Sequence, residues 1–114
     1  MSSIRNHIEK KIPEWKNRLW LNQWKINTVY CFNEQPTDRE GTFVAAETIS
    51  DWKYFKASVK FFLPAFVGED KEFIDEVICH EFLHILLNEM RENEIKHEER
   101  IVSHLTAVVL SLKR

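Results

Sequence analysis

The segment 70–90 constrains this chain most. Phe73, Ile74, Val77, Ile78, Phe82, Leu83, Ile85, Leu86 and Leu87 fall at helical spacing and cover nearly the whole circumference of one helix. A helix apolar all round has no face to give to water, so it is predicted to run through the middle of the domain with other elements packed around it. Asp70 is the expected N-cap, and Glu72 stands in the first turn, where a negative charge meets the positive end of the helix. The sequence has 114 residues, room for a single domain, 1–114, with one core. Any active site is therefore carved from that core, beside the same helix.

The remaining segments must cover it. Residues 3–21 read as a helix, with Ile4, Ile8, Ile12, Trp15 and Leu19 at intervals of three and four, and Pro13 is expected to kink it or start a new helix. Residues 24–32 alternate, with Trp24, Ile26, Thr28, Tyr30 and Phe32 on one face of a strand. A polar loop with Pro36 follows over 33–41, then a second strand over 42–49 and a turn over 50–53. A third strand spans 54–63, where Lys56, Ser58 and Lys60 alternate against Phe55, Ala57, Val59 and Phe61. After the central helix and a polar connection over 91–96, a last helix runs over 95–112, with Ile101, Val102, Leu105, Val108, Val109 and Leu112 on one face. The order α-β-β-β-α-α predicts an α+β fold with a three-stranded, mostly antiparallel sheet.

Composition removes several functions. Two glycines, Gly41 and Gly68, cannot make a Gly-rich phosphate loop or a dinucleotide fingerprint. Sixteen basic against 18 acidic residues give a formal charge of −2, which argues against nucleic acid as the partner. Two cysteines, Cys31 and Cys79, are too few for a disulfide scaffold and read as reduced thiols. Residues 1–12 carry no continuous apolar stretch of the kind a secretory leader needs, and no segment has the length of a membrane span. The expected setting is cytoplasmic.

The central helix contains His80-Glu81-Phe82-Leu83-His84, an HExxH. Histidines at i and i+4 project from one helix face about 6 Å apart, so both imidazoles can reach one Zn²⁺. Glu81 stands beside such an ion rather than on it, placed to hold a metal-activated water and accept its proton. Two histidines and a glutamate inside an apolar cylinder would carry a burial cost that a metal relieves. A catalytic zinc needs a third protein ligand, and the last helix offers Glu98 and Glu99. His84 lies some six residues before the end of its helix, about 9 Å of rise, and Glu99 lies four or five residues into the next, about 7 Å. Antiparallel packing brings that turn level with His84. A helical wheel puts Glu98 nearer the centre of the apolar stripe.

These residues resemble the gluzincin class of HExxH metallopeptidases, and most of all its single-domain members: the minigluzincins and the small phage and bacterial domains of the ImmA/IrrE type. The resemblance covers about the last 45 residues, while the upstream sheet is similar only in architecture. The family pattern places apolar residues two and six positions after the ligand glutamate and a small polar or acidic one at four. Read on Glu99 these are Ile101, Leu105 and Ser103; read on Glu98 they are Arg100, His104 and Val102, a poor fit. The resemblance thus implies His80, His84 and Glu99 as metal ligands, Glu81 as general base, and Glu98 as the runner-up ligand. Ser103 departs from the aspartate common in larger relatives and is a weaker orienter of histidine.

The resemblance further implies peptide or protein substrates and zinc as cofactor. It also implies a cleft rimmed by the strand before the catalytic helix, here 57–61, to which a substrate backbone would add. A plain amphipathic strand explains the same residues equally well. Peptide hydrolysis wants an oxyanion donor besides the metal; His104, His97 and Tyr54 are the candidates, while Cys79 points about 100° away from His80 and reads as core. The alternative is a non-catalytic, zinc-stabilised protein-binding or regulatory module of phage or mobile-element type. A metal-dependent nuclease is disfavoured by the acidic balance. The domain is expected to be a monomer or a weak oligomer.

Overall fold

The computed structural model describes residues 2–51, 54–87 and 98–113, with the side chains of all but Ser2, Glu98, Glu99, Arg100 and Lys113. Helix α1 (Ser2–Arg18) leads into β1 (Lys25–Cys31), β2 (Ala46–Asp51) and β3 (Lys56–Phe62). A 3-10 turn (Leu63–Phe66), the central helix α2 (Lys71–Leu86) and helix α3 (Glu98–Lys113) complete the α+β domain. α2 ends at Leu86, four residues before the end near 90 that its composition predicts, and Leu87 caps it with its N–H on Leu83 O; the connection expected over 91–96 lies outside the described residues.

The sheet is mixed, with strand order β1-β3-β2. β2 pairs antiparallel with β3, as expected of neighbours joined by a short turn. β1 pairs parallel with β3, so the sheet is not mostly antiparallel. A parallel pair needs a long crossover, and the chain supplies one by running from β1 through the 32–45 segment and β2 before returning as β3. The register sets Thr28, Val59 and Thr48 in one row across the inner face, with Tyr30, Phe61 and Ala46 in the next. Val59 and Phe61 are fully buried, whereas Lys25, Glu47 and Ile49 on the outer face are exposed.

β2 begins four residues later than its alternation predicts. Residues 42–45 are tied elsewhere: Thr37 bridges Phe43, Val44 N–H donates to Pro36 O at 2.9 Å, and Gln35 Nε2 donates to Val44 O at 3.1 Å. α1 runs unbroken through Pro13. An interior proline costs a helix about 3 kcal/mol, and here the buried side chains on either side, Ile8 and Trp15, offset it. Trp15 also donates from Nε1 to Asp75 Oδ1 of α2 at 2.8 Å, and Lys11 Nζ stands 3.8 Å from the same oxygen.

α2 is the centre of the fold, as its composition predicts. It packs against α1, α3 and β2. Ile74, Val77, Ile78, Cys79, Phe82, Leu83 and Ile85 are all buried in one core with residues from α1, the sheet, the 3-10 turn and α3. Asp70 caps it, accepting from Phe73 N–H at 3.0 Å. No helix of the described residues is long and apolar enough to cross a membrane.

Candidate functional site

Three of the four residues singled out as the site lie together. His80, Glu81 and His84 offer one ligand atom each within 4.8 Å of one another. The helix itself does this: four residues turn the chain through about 400° and bring the second imidazole over the first. The Nε2 atoms of His80 and His84 face each other at 3.3 Å, and the ring planes meet at 72°. His84 is 5% exposed and Glu81 7%, so both are held in the interior while His80 reaches further toward solvent. Such a His-Glu-His group could hold a metal ion.

The sheet supplies a residue that the sequence reading missed. Thr48, on the inner face of β2, donates its hydroxyl to Glu81 Oε1 at 2.7 Å, and both groups are buried. An O–H···O⁻ bond of this length is among the stronger neutral-to-charged contacts. It fixes one oxygen of the Glu81 carboxylate against the sheet. The signal was present in the strand pattern: Thr48 is a polar residue on the inward parity of an alternating strand, where an unpartnered hydroxyl is costly.

A cavity of about 520 Å³ opens over this group. Asp38, Phe43 and Val44 of the loop before β2 form one wall, and Ala46, Glu47 and Thr48 of β2 form another. The loop has its own support, since Asp38 Oδ1 accepts from the backbone N–H groups of Glu40 and Thr42 at 2.9 and 3.0 Å.

The strand beside the cavity is therefore β2. The expected rim strand, 57–61, lies in β3, which is paired on both sides and has no edge to offer a peptide. β2 is one of the two edge strands, with β1 at the other side, and beyond β2 no further strand pairs among the described residues. The parallel β1–β3 pairing causes the exchange, because it puts β3 in the centre.

The other expected site residues fall in three places. The backbone of Glu98 and Glu99 opens α3, which packs on α2, but their side chains lie outside the described residues, as does His97 entirely. Ser103 and His104 are exposed on α3, and Tyr54 is 70% exposed; none of the three lines the cavity. Cys79 is fully buried in the core, as its position around the helix predicts, and forms no disulfide with Cys31. Comparison with protein-family models, with curated proteins and with solved structures gives no match to this chain.

Proposed function

We propose that this domain is a zinc-dependent hydrolase of peptide bonds. The observation that carries the reading is the 3.3 Å separation of the His80 and His84 Nε2 atoms, with the buried Glu81 carboxylate beside them. Two nitrogens on one tetrahedral zinc, each about 2.05 Å from it, stand ~3.3 Å apart. The donor set of two imidazoles and nearby carboxylates suits zinc chemistry. Glu99 of α3 is the third ligand in this reading, with Glu98 as the alternative.

A zinc ion held by His80, His84 and Glu99 would supply Lewis acidity toward the scissile carbonyl and the attacking water. The chain's own residues do the rest. Glu81 accepts the proton from the attacking water and returns it to the leaving amine. Thr48 holds the Glu81 carboxylate in one orientation by donating to Oε1. His80 and His84 are set relative to each other by their spacing on α2 alone. The cavity runs alongside β2, a strand at one edge of the sheet of described residues, and an extended peptide would lie along it.

The test has two parts. Metal content measured by native mass spectrometry should give about one zinc per chain. His84→Ala and Glu99→Ala should abolish it, and Glu98→Ala should not. Glu81→Gln should keep the zinc and lose peptide cleavage by a factor of about 10² or more. A wild-type protein with full zinc that cleaves nothing across a broad peptide library refutes the hydrolase.

The exposure of His104 and Tyr54 favours one second reading: a zinc-stabilised module that binds a protein partner without cleaving it. It predicts that zinc raises the melting temperature of wild type and Glu81→Gln alike, and that neither shows turnover.

A further inference from the structure

Two more hollows adjoin the one over the histidines, and Phe43 lines all three. The smaller, about 190 Å³, is bounded by Phe43, Ala45, Phe73 and Val77 and reaches His80 and Glu81. The other, about 440 Å³, continues from Phe43 past Phe73 to Ala65. Together they make a groove with Phe43 and Phe73 on its walls that reaches His80 and Glu81. Phe43 is 63% exposed at its centre, an aromatic surface that a ligand would take out of water.

Among the described residues, the charged carboxylate and ammonium side chains that line the three hollows are all acidic. Asp38, Glu69 and Glu76 are exposed around the three hollows, and Glu47 stands at the first. Glu47 is offset by Lys60 of the outer sheet face, 4.0 Å away. No lysine or arginine among the described residues lines any of the three. Acidic walls on a concave surface raise the local concentration of a cationic ligand and disfavour an anionic one.

We propose that this groove selects cationic peptides, seating an apolar side chain between Phe43 and Phe73 with lysine or arginine neighbours facing Asp38, Glu69 and Glu76. The proposal names the substrate class for the hydrolase reading above and rests on it for the placing of the scissile bond. The apolar seat fixes where the peptide sits, and the charges choose which peptide.

The test is binding and cleavage read in the same samples of zinc-loaded full-length protein. The probe is a fluorescein-labelled Ala-Lys-Ala-Phe-Ala-Lys-Ala peptide, followed by anisotropy, with products identified by mass spectrometry. Its counterparts carry glutamate for both lysines, or serine for the phenylalanine. At about 50 mM salt the lysine peptide should bind about tenfold more tightly than the glutamate peptide, and the ratio should fall to about threefold or less at about 500 mM. Serine in the peptide, or Phe43→Ser in the protein, should weaken binding about fivefold or more. Glu69→Lys combined with Glu76→Lys, both at exposed positions, should remove or invert the charge preference.

Equal binding of the lysine and glutamate peptides overturns the proposal, as does tighter binding of the glutamate peptide or no binding of any. Cleavage without charge preference leaves the hydrolase standing and sinks the cationic groove. Charge-selective binding without cleavage supports the groove, and the hydrolase then falls if the broad peptide library is left intact as well.

Discussion

Replacing Thr48 with valine removes one hydroxyl and almost no volume. In the structure that hydroxyl donates to Glu81 Oε1 at 2.7 Å, with Thr48 9% and Glu81 7% exposed. A hydrogen bond to a buried charged group contributes about 1.5–3 kcal/mol, against about 1 kcal/mol for a neutral pair. Thr48→Val should therefore destabilise the domain by about 2 kcal/mol. For a domain of this size that lowers the melting temperature by roughly 8–12 °C. Valine keeps the strand propensity and the packing against the core, so the loss reports the hydroxyl rather than the fold.

The size of the effect alone does not assign it to Glu81. A double-mutant cycle does. In a Glu81→Gln background the acceptor is neutral, and Thr48→Val should cost only about 1 kcal/mol, leaving a coupling of about 1 kcal/mol between the two positions. Chemical denaturation of all four proteins, at a fixed zinc concentration and again with a chelator, measures this. Thr48→Ser, which keeps a donor, should recover most of the loss. A cost below about 0.5 kcal/mol for Thr48→Val refutes the idea that Thr48 fixes the carboxylate, and so does an equal cost in both backgrounds.

Two further outcomes are expected. Trp15→Phe takes from Asp75 the Nε1–H donor that reaches it at 2.8 Å across the α1–α2 contact. It should cost about 1.5–3 kcal/mol in urea unfolding, and a loss under about 0.5 kcal/mol removes that bond as an anchor of the helix pair. His7 has its Nε2 enclosed with no hydrogen-bond partner among the described residues, and burial, together with Lys71 and Lys11, pushes its pKa below 6.5 while Asp75 opposes them. The folded state then resists protonation that the unfolded state accepts, so stability is present above about pH 6.5 and is lost on acidification. The melting temperature of wild type should accordingly fall further behind that of His7→Phe between about pH 7 and pH 5; a constant gap refutes this.

How far the sequence discloses this molecule depends on how local each feature is. The grouping of His80, Glu81 and His84 was legible because it depends only on the turn of one helix, and the cap at Asp70 for the same reason. The central place of α2 was legible because an apolar circumference admits no other place. The strand neighbours were not legible. Alternation tells which face of a strand is inward and says nothing of which strand lies beside it, so it does not disclose that β3 is the central strand and that β2, at an edge, borders the cavity. The continuity of α1 through Pro13 was hidden too, because the contacts that offset the proline come from elsewhere in the chain.

The same distinction separates the two buried polar faces of α2. Asp75 and His84 are nine residues apart, which sets them about 180° apart around the helix. Each face meets a polar partner from a different element: Asp75 meets Trp15 of α1, and Glu81, beside His84, meets Thr48 of β2. These partners are 60 and 33 residues away in the chain, so only the tertiary fold brings them together. With both bonds in place α2 is fixed in rotation about its own axis as well as in position. Side-chain tips lie roughly 5–6 Å from a helix axis, so a turn of about 20° would carry them about 2 Å. That would separate Glu81 from Thr48 and turn the two imidazoles away from the cavity. The contact at the back of the helix therefore contributes to the geometry at its front. In a domain of one core, the packing that stabilises the fold is also what aims the site.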